Sequence, residues 1–131
     1  MIRNETHLDT LSIVTPHAVI HIDSEMHLYI RFYDDHAVFS FVPSGILKGG
    51  EISLTHNQVL QMIAATAARQ NWQSGASGTT PRLCTWWDHE YDQLNIDLIR
   101  IKTEIELFGR LILESPDRKA IIDAIKARAK V

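Results

Sequence analysis

The stretch MHLYIRFYDDHAVFSFV, residues 26–42, decides the fold. Apolar residues recur at every second position on both sides of Asp34-Asp35, the period of a half-buried strand. A two-residue turn at the aspartates pairs Phe32 with Ala37, Ile30 with Phe39 and Leu28 with Phe41. Every inward residue then meets an apolar one. A slip of one residue would turn the whole set outward, so the pattern fixes the register as well as the hairpin.

Upstream, Ala18, Ile20 and Ile22 share one face of residues 17–22. A three-residue turn at Asp23-Ser24-Glu25 would pair Ile22 with Met26, Ile20 with Leu28 and Ala18 with Ile30. The expected result is a three-stranded antiparallel meander. Its outer face would carry His17, Val19 and His21 beside Arg31, Tyr29 and His27, with Val38, Ser40 and Val42 on the third strand and Tyr33 and His36 at the end.

Downstream, Thr55-x-x-Gln58 is a capping-box pattern, and Val59, Met62, Ile63, Thr66 and Ala67 form a helical stripe running towards Asn71. Arg82 to Asp88 reads as a strand. Leu94 to Leu107 is rich in β-branched residues and also fits a helix stripe; the strand is preferred, with a bulge near Leu98-Ile99 and a kink at Gly109. Ser115-Pro116-Asp117 opens a last helix, with Ser115 expected as its cap and Ile121, Ile122, Ile125 and Ala129 as its apolar stripe. The expected architecture is one α+β domain over 1–131: an antiparallel sheet made of a three-stranded meander, a helix, two to three further strands and a C-terminal helix, with the helices packed on one face. No internal repeat is visible.

Composition narrows the function. With 131 residues, 45% hydrophobic and 22% charged, the chain is an ordinary globular domain with no need of staples. No apolar run approaches a membrane span, and the first residues lack the apolar core of a secretory signal, so a cytoplasmic location is expected. The net charge of −3 argues against a nonspecific duplex-DNA binder. Basic residues gather after Pro116, where Lys126 and Arg128 suit the dipole of the last helix.

Chemical motifs are few. The single cysteine, Cys84, sits mid-strand between Leu83 and Thr85 and reads as a structural thiol. His17 and His21 have a helical zinc spacing but lie on a strand; His21 opposite His27 would need Asp23 or Glu25 as a third ligand. No metal, cofactor or catalytic residue is assigned. The segment from Trp86 to Asp92 holds two indoles that must face opposite ways, and Trp87 is taken as the partner anchor beside an acidic turn.

The expected function is a non-catalytic protein-binding module: an adaptor, secretion-type chaperone, inhibitor or immunity protein. The element order is similar to that of small secretion chaperones that dimerise through sheets, though no motif is shared. The partner-binding residues would be His17, His21, His27, Tyr29, Arg31, Tyr33, His36 and Trp87, and the partner another protein or a second copy in a homodimer. One alternative is single-stranded nucleic acid on the same face, which the acidic balance disfavours. The other is a small enzyme using Asp88, His89, Glu90 and Asp92 with a sheet histidine.

Overall fold

The computed structural model describes residues 9–19, 22–43, 47–75, 81–101 and 103–129, with backbone alone for 15–19 and 22–25. Four strands come first: β1 (Asp9–Val19), β2 (Ile22–Phe32), β3 (His36–Pro43) and β4 (Gly50–Thr55), followed by helix α1 (His56–Ala67). Four more follow: β5 (Trp72–Gln73), β6 (Arg82–Asp88), β7 (Gln93–Ile101) and β8 (Ile105–Glu114), then helix α2 (Asp117–Arg128). Each group of four pairs in sequence order, giving two antiparallel four-stranded sheets. The fold is α+β with a C-terminal helix, and the strands divide between two sheets rather than filling one. The second half repeats the topology of the first, four strands and a helix, without repeating its sequence.

The β2–β3 hairpin has the register expected from its alternation, with Phe32 opposite Ala37, Ile30 opposite Phe39 and Leu28 opposite Phe41. The first hairpin differs. β1 and β2 turn between Val19 and Ile22, and the pairs are Ile13 with Leu28 and Leu11 with Ile30. Asp23, Ser24 and Glu25 lie within β2 instead of forming a turn. The longer hairpin adds Ile13, buried, and Leu11, packed against the core, to the inward face. Pro16 hides this strand in the sequence, because a proline disqualifies a central strand. β1 is an edge strand, where proline's missing donor is tolerated. β4 is a second addition: Ile52 and Leu54 alternate with Glu51 and Ser53 over too few residues to stand out.

The inward faces of the two sheets meet in one core, which includes Leu28, Ile30, Phe39 and Phe41 from the first and Leu83, Ile96, Leu98 and Leu111 from the second. β8 lies across β1, β2 and β3. The closest approach is at Gly109, where a Cβ would stand 2.8 Å from both Cβ and Cδ2 of Phe41. Phe108 is the extra residue of the bulge expected at Leu98-Ile99: Leu98 pairs with Gly109 and Ile99 with Leu107. Its carbonyl accepts a hydrogen bond of 2.8 Å from the N–H of Gly49. Gly49 itself has φ +71°, and a Cβ there would lie 2.4 Å from the Phe41 carbonyl oxygen. The two sheets are therefore joined at a point where neither glycine has room for a side chain.

Helix α1 starts with the full capping box: Thr55 Oγ1 accepts from the Gln58 N–H and Gln58 Oε1 accepts from the Thr55 N–H. Its buried face is His56, Val59, Met62, Ile63 and Thr66, while Ala67 is exposed. It closes in a Schellman arrangement, with the N–H of Gln70 on the Ala65 carbonyl and that of Arg69 on Thr66. Arg69 takes the left-handed position, φ +57°, that glycine usually fills. Its guanidinium lies 4.1 Å from the Trp87 ring centroid, and that of Arg118, at the start of α2, lies 4.8 Å away. Both reach the carboxylate of Asp92 in the β6–β7 turn, at 2.7 and 3.4 Å. One indole and one carboxylate thus fasten the end of α1, the turn and the beginning of α2. The other end of α2 is fixed by Arg128, whose Nε is 2.7 Å from Asp9 on β1. Ser115 does not cap α2: the N-cap is Pro116, no side chain caps it, and Asp117 supplies the negative charge of the first turn.

The hydrogen bond from Arg69, with help from Arg118, holds the Asp92 carboxyl below its usual value of 3.8. A lowered carboxylate stabilises the fold above its unfolded pKa and loses that contribution as pH falls through the folded value. Asp92→Asn is therefore expected to be less stable than the native chain at pH 7, with the gap closing below about pH 4, as read by urea denaturation across pH. Gly109→Ala is expected to destabilise by about 1–3 kcal/mol through overpacking against Phe41, and a second substitution, Phe41→Leu, should recover part of the loss in the same assay.

Candidate functional site

The outer face of the first sheet is a grid of side chains set by the strand register. Val14, His27 and Val42 form one row across β1, β2 and β3; Ser12, Tyr29, Ser40 and Glu51 form the next across all four strands. Thr10, Arg31, Val38 and Ser53 make the third. Tyr33, at the end of β2, and His36, opposite Thr55, close the end. Both helices bury their apolar residues on the inward side, so neither lies over this grid. Val14 and Val42 are each 50% exposed, an unusual state for two valines of one row.

The polar groups satisfy one another. The Arg31 guanidinium donates to Glu51 Oε2 at 2.7 Å and Ser40 Oγ donates to the same oxygen at 2.5 Å. Arg31 and Glu51 therefore cancel as charges. An ion pair this exposed adds little stability and mainly sets the positions of its side chains. Tyr29 Oη and His27 Nδ1 are 3.4 Å apart, and their rings stack at 6.1 Å. At the end of the grid the Tyr33 and His36 rings are parallel within 6° and 4.6 Å apart. His36 Nδ1 is 2.5 Å from the Asp35 carboxylate. The turn that carries this pair is held from beneath by His56, 4% exposed, whose Nε2 donates to the Tyr33 carbonyl at 2.7 Å. His56 is a positioning residue that sequence reasoning passed over, because it sits on the buried face of α1.

Between β2 and β4 the face dips into a shallow concavity of about 330 Å³, lined by Arg31, Tyr33, His36, Val38, Glu51 and Ser53, with Ile52 at the edge. Its walls combine a flat aromatic pair, an aliphatic floor and an ion pair. It is broad and open to water, which suits the docking of a side chain from a larger partner more than the enclosure of a small reactant.

Five of the expected site residues, His27, Tyr29, Arg31, Tyr33 and His36, thus share one surface. His17 and Trp87 do not join them. His17 pairs with Ser24, towards the β1–β2 turn, and its expected place beside Arg31 is taken by Thr10. His21 lies outside the described residues, and the position opposite His27 on β1 belongs to Val14. Trp87 is in the second sheet and is the inward indole of its pair, 7% exposed; Trp86 is the half-exposed one.

The acidic turn has a structural use. Asp88 Oδ1 accepts from the N–H groups of Glu90 and Tyr91, and Asp92 holds the two arginines. The turn belongs to the second sheet, whereas His27 and His36, the sheet histidines with described side chains, lie on the first. Among the described residues no group of three or more histidine, cysteine or carboxylate side chains is placed to hold a metal ion. Among them, too, no helix is long and apolar enough to cross a membrane. Cys84 is half-buried, and burial, with the Asp97 carboxylate adding to it, pushes its thiol up to about 11, the reverse of an activated nucleophile. No family model matches the chain, nor does any curated protein or solved structure.

Proposed function

We propose that this chain is a protein-binding module that receives its partner on the outer face of the first sheet. The observation that carries the proposal is a four-stranded face that no described helix covers, on which Tyr33, His36, Val38 and Arg31 line a shallow concavity, with the charges neutralised inside the face. Tyrosine and arginine are the residue types that most often anchor interfaces, because a rigid body carries a polar tip at small entropic cost. An internally neutral face needs little desolvation of unpaired charge when a partner covers it. Arg31 is already engaged by Glu51, so it offers no free cation to a phosphate, which weighs against a nucleic-acid partner.

The test is affinity purification of the tagged chain from its native cell, beside the double variant Tyr29→Ala/Arg31→Ala. Both side chains face outward, so the variant should keep its fold by circular dichroism. A stoichiometric protein recovered with the native chain and lost with the variant is the expected result. Nucleic acid recovered in its place, or a partner indifferent to the variant, would sink the reading.

A further inference from the structure

The outer face of the second sheet has a different character. Its middle strand, β7, is buried on both faces from Leu94 to Leu98. On the outer side Asp97, 4% exposed, accepts two bonds of 2.9 Å from Arg110 and one of 2.8 Å from Trp86 Nε1. That charge needs nothing from outside. Around it the face is apolar: Trp86, Ile99, Leu107 and Ile112 are half-exposed, and none of them packs on the shared core. Two buried nitrogens on this face, Arg82 Nε and Asn95 Nδ2, have no hydrogen-bond partner among the described residues. Both atoms are enclosed by the chain's own side chains, as are Thr85 Oγ1 and Trp87 Nε1 on the inward side of β6.

The two ends of the face carry different groups. One end carries Arg82 without an ion-pair partner among the described residues, and the exposed hairpin pair Ile101 and Ile105, 36% and 68% exposed. The other end carries Asp88, likewise without a cation, and Tyr91, 66% exposed. The two ends complement each other, and one copy of the chain cannot bring them together. We propose that a second copy covers this face, in a two-fold dimer with the strands running in opposite directions. An axis lying between the facing sheets and crossing the strands at the level of Thr85 and Ile96, which pair with each other, lays Arg82 over Asp88 of the second copy. The same operation brings the Ile101–Ile105 end of the sheet towards the β6–β7 turn of the second copy, which holds Tyr91. Each contact occurs twice, as an isologous interface requires. By strand spacing and rise the face of β6, β7 and β8 measures roughly 15 by 30 Å, about 900 Å² over both copies and in the range of weak interfaces, so a dimer dissociating in the micromolar range is expected. The first sheet's outer face points away from this interface and stays free in both copies.

The full chain should be examined by sedimentation velocity from about 1 to 200 µM, a range that brackets a micromolar equilibrium. The expected result is a mass rising from 14.9 kDa towards twice that value. Ile105→Lys and Arg82→Glu should each weaken the dimer at least about tenfold, since one buries a charge in the seam and the other sets two carboxylates together. Ile105 is so exposed that its variant keeps the fold, which circular dichroism checks. Val14→Lys, on the outer face of the first sheet, should change nothing. A chain that stays monomeric throughout overturns the proposal, whatever other protein later covers the face. So does a dimer that survives both seam variants, or one that only Val14→Lys disrupts.

Discussion

The approach of β8 to Phe41 is the constraint on which the rest of the structure depends. Gly109 meets the side chain of Phe41 where a Cβ would stand 2.8 Å from it, and Gly49 meets the carbonyl of the same residue. A backbone hydrogen bond from Gly49 to Phe108 closes the junction. Protein cores tolerate neither voids nor overlap, so a contact this tight fixes the two sheets face to face. Once the inward faces are committed to each other, the helices fill the flanks and the outward faces are the surfaces left. The bulge at Phe108 belongs to the same constraint. It brings Gly109 opposite Leu98 and turns the far end of the hairpin so that Ile101 and Ile105 lie outside the core.

The helices are held by a second device. Trp87 between Arg69 and Arg118, with Asp92 binding both, joins three places far apart in the chain. Arg69 occupies a left-handed backbone position that costs a side-chain-bearing residue of order 1 kcal/mol relative to glycine. Glycine would relieve that strain and lose the guanidinium. The presence of arginine says that the contact with Trp87 and Asp92 outweighs the strain. It also accounts for a cation at the beginning of α2, where the helix dipole is unfavourable: Arg118 is directed at Asp92 and its carbonyl.

What the sequence made legible was local. The β2–β3 register followed from alternation, the α1 start from its capping box, and the bulge at Leu98-Ile99 from a break in parity. What it concealed needed long-range information. β1 carries Pro16, and edge and central strands cannot be told apart before the sheet is assembled. β4 was too short to show a period. The isoleucines from Ile99 to Ile105 alternate as one strand would, but the chain turns back after Ile101, which pairs with Ile105. Trp86 and Trp87 were known to face opposite ways, but which of them points inward depended on Arg69 and Arg118, one before the pair and one after it. Of the expected site, the residues on β2 and at the start of β3 came together because their register was legible; His17 went elsewhere because that of β1 was not.

The two outward faces answer different physical demands. The first sheet exposes aromatic and aliphatic groups whose polar neighbours are satisfied, so it is stable in water as it stands and gains from a partner chiefly by burying apolar area. The second leaves large apolar residues bare at both ends. Its needs match its own chemistry: a lone cation beside isoleucines at one end, a lone carboxylate beside a tyrosine at the other. Other proteins can satisfy any such pattern, but the pattern itself arises without a second gene when two copies meet across a two-fold axis. The second face is suited to its own copy, in a dimer that forms at micromolar concentration, and the first to a partner of another kind. Because the two faces lie on opposite sides of the shared core, a dimer built on the second would present the first twice. A partner with repeated or paired epitopes would then be held at an effective concentration set by the spacing of the two faces.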